Sequence, residues 1–308
     1  MKRDGYNLIV ILGPTATGKT RLAARLAKER GWEVISADSR QVYRGMDLGT
    51  GKDRSEFLVD GVSVPCHLID IVDPGYEFSL FEYQQHFYRC FSDLSGRGII
   101  PVMVGGTGLY VEAVVREYAM VEVPEDPSLR RELIAMDLDA MRDRLLKSNQ
   151  ALHNTTDTQN RERLVRAIEI AEYTKKRNRS GMPDHPDLRP FVVGIRWDRS
   201  LLRERITRRL RERIDAGMIE EVKALHDRGV SWERLDSFGL EYRYVSRHLQ
   251  GFMDRREMLE QLNTRIHQFA KRQMTWFRRM ERRGVCINWI DGADYDALKA
   301  LVEEHVGR

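Results

Sequence analysis

Residues 13 to 20, GPTATGKT, have the G-x-x-x-x-G-K-T spacing of a phosphate-binding loop. Glycines let backbone N–H groups close around phosphate oxygens, and the N-terminus of a following helix adds the positive end of its dipole. Lys19 can neutralise phosphate charge, and the hydroxyl of Thr20 can bind Mg²⁺. The residues predicted to hold phosphate are Gly13, Pro14, Thr15, Ala16, Thr17, Gly18, Lys19 and Thr20. The pattern predicts a phosphate site but does not say whose phosphates it binds.

A P-loop ATPase or kinase would also need an acid at the end of a second strand to hold Mg²⁺. The later apolar run IIPVMVGG ends in glycines, which weakens the ATPase interpretation. The nearest acid at a predicted strand end is Asp38, in ADSRQVYRG. A nucleotide kinase could use this carboxylate on the metal or the substrate, and a transferase could use it as a base. Capping of a helix N-terminus by Asp38 or Ser39 is the structural alternative.

VGGTGLY, residues 104 to 110, is a second glycine-rich turn from a strand into a helix. Its glycines allow the backbone to approach a ligand closely, and Thr107 offers a hydroxyl. Ordinary turn geometry explains such a stretch equally well, so this motif indicates a site only together with the others.

Alternating strand-like and helix-like segments predict an α/β fold with a P-loop parallel-sheet core. LIVIL, EVISADSR and IIPVMV are the first strands, and the loop, Asp38 and Thr107 each follow one of them. Since ligands bind at the carboxyl ends of parallel strands, the three sites should converge. Residues 124–190 favour an inserted, mainly helical domain between a core at 1–123 and a return to the core with basic C-terminal helices at 191–308. One long helix is predicted after FVVGIRW, because apolar residues from Leu202 to Leu225 fall on one stripe.

The composition, 42% hydrophobic and 32% charged over 308 residues, is typical of a soluble globular protein. No apolar run approaches the roughly 20 residues of a membrane span, so we expect a cytoplasmic protein without a membrane partner. Three cysteines without metal-ligand spacing make a zinc site or a disulfide framework unexpected. Residues 191–283 contain 22 Lys/Arg against 14 Asp/Glu, whereas residues 1–120 contain 14 against 15. This asymmetry favours a polyanionic partner such as nucleic acid, and a solvated arginine-rich face is the alternative.

Taken together, the chain resembles the tRNA dimethylallyltransferases, also called tRNA isopentenyltransferases. The matching stretches are GPTATGKT, ISADSRQVYRGMDLGTGK, CHLIDIVDP, VGGTGLY, RLVRAIEI and AKRQMTWFRR. The resemblance implies transfer of a dimethylallyl group from dimethylallyl diphosphate to N6 of adenosine 37 in tRNA, with Mg²⁺ as the cofactor. The loop would then hold the diphosphate of a prenyl donor, and a monomer is expected to grip the anticodon stem-loop.

The same resemblance implies roles for residues outside the loop. Asp38 would accept the proton of the adenine amine, and Thr107 would orient the adenine. Arg243, in FGLEYRY, aligns with a basic residue that would reach the diphosphate, although this stretch departs from the family's commoner glycine-tyrosine-lysine. Glu162 stands where many members have glutamine and cannot donate an amide hydrogen bond. The residues expected to contact tRNA are Asp38, Ser39, Arg40, Gln41, Thr107, Arg130, Glu162, Arg163 and Arg166.

Three alternatives remain open at this point. A prenyltransferase acting on free adenine nucleotides would share the loop, but it needs neither an insertion nor a basic C-terminal half. A P-loop nucleotide kinase would use the loop on ATP. A nucleotide-switched RNA-binding module would need the loop but not Asp38 and Thr107 together.

Overall fold

The computed structural model describes residues 5–148, 160–176 and 185–306. The strands of these residues are β1 (Leu8–Leu12), β2 (Val34–Ser36), β3 (Leu58–Val59), β4 (Val62–Ser63), β5 (Cys66–His67), β6 (Val102–Gly105), β7 (Pro190–Arg196) and β8 (Asn288–Asp291). The helices are α1 (Lys19–Arg30), α2 (Leu80–Gly96), α3 (Gly108–Val115), α4 (Pro127–Ile134), α5 (Leu138–Lys147), α6 (Arg161–Lys176), α7 (Arg199–Asp215), α8 (Met218–Asp227), α9 (Trp232–Ser237), α10 (Leu240–Leu249), α11 (Arg255–Arg282) and α12 (Tyr295–Val306). None of these helices is both long enough and apolar enough to cross a membrane.

Six strands form one sheet in the order β5-β2-β6-β1-β7-β8, and every neighbouring pair is parallel. The central strand β1 is buried along its whole length because strands flank it on both edges and helices cover both faces. This burial explains why its sequence is an unbroken apolar run. The parallel α/β fold predicted from the sequence is confirmed.

The two faces of the sheet have separate hydrophobic cores because successive side chains of a strand point to opposite faces. Leu8, Val10 and Leu12 pack with aromatic residues of α2, α3 and α11, whereas Ile9 and Ile11 pack with α1 and α12. Helix α2 begins at a capping box, in which the Ser79 hydroxyl accepts from the Glu82 amide and the Glu82 carboxylate accepts from the Ser79 amide.

A third core joins helices α7, α8, α10 and α11 next to the sheet. The prediction of one long helix over this region is wrong, because α7 ends at Asp215 and α8 begins at Met218. Gly217 lies between them with a φ of 100°, a left-handed conformation that breaks an α-helix. The apolar stripe continues across the break, which is why the sequence pattern did not reveal it.

The chain divides into two compact units, one made of residues 1–118 with 186–308 and the other of residues 119–185. The sequence pattern places the insertion at 124–190, of which residues 149–159 and 177–184 lie outside the described part. Helices α4, α5 and α6 form the second unit, and its core contains Leu133, Met141 and Leu164.

Candidate active site

The phosphate-binding loop runs from the end of β1 into α1 and is held by side-chain hydrogen bonds to its backbone. Ala16 and Gly18 adopt left-handed conformations, with φ of 63° and 84°. The buried Thr17 hydroxyl donates to the Pro14 carbonyl over 2.9 Å, and the Trp197 indole N–H donates to the Thr17 carbonyl over 3.1 Å. The loop is therefore preformed, with the N-terminus of α1 at its end.

Lys19 lies folded back over the loop, with its Nζ 3.3 Å from the Pro14 carbonyl oxygen. Burial and the neighbouring Arg209 guanidinium lower the pKa of Lys19 to about 8, although the Asp38 carboxylate acts in the opposite direction. An arriving diphosphate would favour the charged form and raise this pKa again.

Three arginines of α7 point at the loop, at positions four residues apart that share one helix face. The Arg205 Nε donates to the Ala16 carbonyl over 2.8 Å, and its guanidinium stacks on the Trp197 ring. Arg209 contacts the Thr15 hydroxyl at 3.5 Å and the Asp53 carboxylate at 2.5 Å. The pattern in the sequence identified a basic face on this helix but did not separate these inward arginines from exposed ones.

Arg213 lies one further turn along α7 and is nearly buried, with 11% of its side chain exposed. Its Nε and one terminal nitrogen are buried without a hydrogen-bond partner, and the nearest carboxylate, that of Asp53, is 3.6 Å away. Arg209 and Arg213 line one cavity together with Thr15 and Glu241. Two guanidinium groups therefore face this cavity beside the loop, and guanidinium groups suit phosphate oxygens.

Asp38 and Thr107 lie at the carboxyl ends of β2 and β6, which are neighbours in the sheet. The Asp38 carboxylate accepts from the Arg40 amide over 2.9 Å, and the Thr107 hydroxyl accepts from the Ser39 amide over 3.2 Å. Gly105 lets the two strand ends approach, since a Cβ there would collide with the Ala37 backbone. Convergence of the loop, Asp38 and Thr107 follows from the strand order, in which β6 lies between β1 and β2.

Oxygen groups suited to Mg²⁺ lie at the start of α1. The Thr20 hydroxyl lies close to the Glu56 carboxylate, whose pKa is raised by burial. A hydroxyl, a carboxylate and diphosphate oxygens form the donor set that Mg²⁺ prefers, so these residues fit the predicted ion. Within the described ranges, no group of three or more His, Cys, Asp or Glu could hold a metal unaided. Oxygens of the bound diphosphate would have to complete the coordination of the ion.

One carboxylate holds three successive amides of a second loop, residues 47 to 52. Glu221 of α8 accepts from the backbone amides of Asp47, Leu48 and Gly49 at 2.7–3.0 Å. The same carboxylate accepts from the Tyr242 hydroxyl over 2.7 Å. No signal in the sequence pairs Glu221 with this loop, because the two are about 170 residues apart.

The chain matches proteins of one family along nearly its whole length. A model of the IPP transferase family matches residues 41–280, and an isopentenyl transferase model matches residues 6–61. The chain is 59% identical to tRNA dimethylallyltransferase 1 of Syntrophus aciditrophicus, over 95% of this chain and 96% of the relative. It is 55% identical to tRNA dimethylallyltransferase 1 of Geotalea daltonii, over 96% and 94%.

A solved structure agrees with these relatives. The tRNA isopentenylpyrophosphate transferase of Bacillus halodurans is 34% identical and superposes with a TM-score of 0.68, over 97% of this chain and 94% of that one. The chain belongs to the IPP transferase family. The resemblance predicted from the sequence motifs is thereby confirmed, and the kinase and RNA-binding switch are superseded.

As an IPP transferase the chain was expected to use Gln41 and Arg243 on its substrates, and both have protein partners here. Gln41 accepts from the Ser36 hydroxyl and donates to the Gly51 carbonyl, each at 3.1 Å. The Arg243 guanidinium bonds the carboxylate and carbonyl of Asp236 at 3.0–3.2 Å. Their roles toward tRNA and diphosphate stay predictions.

The second unit carries the remaining tRNA residues expected of this IPP transferase. Arg130 and Arg166 both pair with the buried Glu169 carboxylate, at 2.7 and 3.0 Å. Hydrogen bonds from Arg130 and the Asp126 amide lower the pKa of Glu169, outweighing the effect of burial. Glu162 and Arg163 are exposed on the first turn of α6. Arg130 and Arg166 thus brace the unit internally, whereas Arg163 is free to reach a partner.

Proposed function

We propose that this IPP transferase moves a dimethylallyl group from dimethylallyl diphosphate to N6 of adenosine 37 in tRNA and releases diphosphate. One observation carries the proposal: an anion-binding loop and a carboxylate with an adjacent hydroxyl lie at neighbouring strand ends. Lys19 of the loop lies beside the turn that carries Thr107, because a Cβ on Gly106 would be 3.5 Å from its Nζ. A leaving-group site and a proton acceptor are therefore close enough to serve one reaction.

The phosphate-binding loop and the cations beside it act on the bond that breaks. The allylic C–O bond gives its electron pair to a diphosphate oxygen, so negative charge grows on the leaving group. Loop amides, the N-terminus of α1, Lys19 and Arg209 lie where that charge develops, and preorganised donors of this kind are the main source of rate enhancement in many enzymes. Mg²⁺ held by Thr20 and Glu56 would supply further neutralisation of the diphosphate.

The acceptor side acts on the bond that forms. The N6 amine of adenine is a weak nucleophile because its lone pair is delocalised into the ring. As the C–N bond forms, the amine proton passes to the Asp38 carboxylate. The Arg40 amide orients this carboxylate at 2.9 Å, and Thr107 is placed to hold the same base. The adenine has to leave its stack to reach these groups.

The remaining predicted residues would bind the rest of the tRNA. Ser39, Arg40 and Gln41 follow Asp38 directly, and Arg163 projects from the second unit. The inserted helices and the basic C-terminal helices supply the cations that neutralise RNA phosphates, so binding should weaken strongly with salt. A mononucleotide acceptor would need none of these cations, which supports tRNA as the substrate.

The test mixes the protein with Mg²⁺, dimethylallyl diphosphate and either unmodified tRNA or AMP, and follows the prenyl mass on adenine. We expect product on tRNA, and product on AMP alone would overturn the proposal. The Asp38→Asn variant should lose at least about 100-fold in rate while keeping its tRNA affinity. Asp227→Asn is the matched control, since Asp227 lies on the exposed face of α8 and pairs with Lys223 over 2.7 Å.

A further inference from the structure

Gln273 of α11 is buried, with 7% of its surface exposed, and both ends of its carboxamide are hydrogen-bonded. Its oxygen accepts from the Thr15 backbone amide over 2.9 Å. Its nitrogen donates to the Gly106 carbonyl over 2.8 Å. One side chain therefore joins the phosphate-binding loop to the turn that follows β6.

The surroundings leave this bridge little freedom. A Cβ on Gly106 would lie 2.6 Å from the Gln273 nitrogen, 3.1 Å from the Gly13 carbonyl oxygen and 3.5 Å from the Lys19 Nζ. The glycine thus lets the turn, the loop and α11 meet at one point. A carboxamide supplies one donor and one acceptor at this point, a combination that neither an ionised carboxylate nor an apolar side chain provides.

The two segments that Gln273 joins have different tasks in the proposed reaction. Thr15 lies in the loop that would hold the diphosphate, and its hydroxyl contacts Arg209. Gly106 precedes Thr107, whose hydroxyl holds the Ser39 amide beside Asp38. The bridge therefore joins the segment proposed to hold the diphosphate to the segment that holds the Ser39 amide beside the proposed proton acceptor.

We infer that Gln273 is a positioning residue that couples the donor side of the site to the acceptor side. This inference rests on the proposed function, because it assigns those two sides. Misplacement of reacting groups by about 1 Å can lower a rate about 100-fold. Loss of the bridge should therefore lower kcat, while the KM values for the prenyl donor and for tRNA change much less.

The experiment compares Gln273→Met and Gln273→Glu with the parent enzyme over a range of pH. Methionine has a similar length but makes neither hydrogen bond, so kcat should fall about 10- to 100-fold at every pH. A protonated glutamic acid can donate to Gly106 and accept from Thr15, whereas an ionised one places negative charge against the Gly106 carbonyl. The kcat of Gln273→Glu relative to the parent should therefore rise as the pH falls toward the pKa of the new carboxyl.

The kcat of Gln273→Glu is divided by the kcat of the parent at each pH, because the parent has its own titrating groups at the site. Lys19 and Arg209 on the loop side favour ionisation of the new carboxyl, Asp38 on the acceptor side opposes it, and burial opposes it too. A merely structural role for Gln273 predicts lower stability or higher KM values rather than a lower kcat alone. A Gln273→Met kcat near that of the parent, or KM values that rise as much as kcat falls, would overturn the inference.

Gly106→Ala tests the same bridge independently, because the added Cβ displaces the Gln273 carboxamide without changing Gln273. It should lower kcat as Gln273→Met does, and an unchanged kcat would count against the bridge. Thermal unfolding of each variant checks that the fold persists. Failure of the parent itself to prenylate tRNA would refute the proposed function instead, so the two failures are distinguishable.

Discussion

The Ser39 backbone amide donates to the Thr107 hydroxyl over 3.2 Å, and this bond ties the end of β2 to the end of β6. Ser39 directly follows Asp38, the proposed proton acceptor, so this bond restrains the backbone that carries the Asp38 carboxylate. A small side chain thereby links two strand ends that are 68 residues apart in sequence.

Replacing Thr107 by valine keeps its shape but removes the acceptor of this bond. We expect Thr107→Val to lower kcat about 10- to 100-fold, because the carboxylate and the base lose their alignment. Thr107→Ser is the matched control and should retain most of the activity, since it keeps the hydroxyl. Rates are measured with saturating prenyl donor and tRNA, and equal rates for both variants would contradict the role of the hydroxyl.

The lowered pKa of Lys19 predicts how diphosphate binding depends on pH. Its pKa of about 8 in the free protein rises when the anion binds, so binding takes up a proton once the pH exceeds that value. Affinity for inorganic diphosphate should fall as the pH rises through 8, by up to about tenfold per unit until the pKa of the bound state is reached. Calorimetric titration from about pH 7 to 10 measures this. Lys19→Met should bind diphosphate more weakly. If its affinity still falls with pH as steeply as that of the parent, the proton taken up on binding belongs to another group.

Arg209 and Arg208 are adjacent on α7 but have different surroundings. Arg209 contacts Thr15 and Asp53, whereas Arg208 is 68% exposed and pairs loosely with Glu212. Arg209→Gln should raise the KM for the prenyl donor about 10- to 100-fold, since a charged donor to the diphosphate is lost. Arg208→Gln should leave this KM within about twofold. A similar increase in both variants would show that only the general positive charge of α7 matters.

Gly217 predicts a stability effect away from the site. Alanine at a φ of 100° is strained, so Gly217→Ala should lower the free energy of unfolding by about 1 kcal/mol or more. Gly96→Ala is the control, since Gly96 is helical and its added Cβ would meet no atom within 4 Å. That change should be neutral or stabilising by about 0.5 kcal/mol. Chemical denaturation measures both, and equal effects would show that the break between α7 and α8 adapts to a side chain.

The sequence predicts the parts of the site that are local in the chain. The phosphate-binding loop is contiguous, and Asp38 and Thr107 stand directly after strands, so strand order alone brings them together. Gln273 lies within the stretch AKRQMTWFRR, yet nothing local shows that its carboxamide reaches two loops. Arg209 and Arg213 belonged to a recognised basic face, but the direction of each side chain depends on how α7 packs. The break at Gly217 escaped notice because the apolar stripe passes through it.

The position of β1 also has a consequence for how the protein is made. Val10 lies opposite Met103 on one side and opposite Val192 on the other, so its partners are translated roughly 90 and 180 residues later. At a synthesis rate of about 5–20 residues per second, one edge of this apolar strand waits on the order of ten seconds for β7. Gln273 emerges later still. The nascent chain therefore carries an unpaired apolar strand edge beside a phosphate-binding loop that still lacks its later contacts. Protection of that edge by chaperones should govern the yield of folded enzyme.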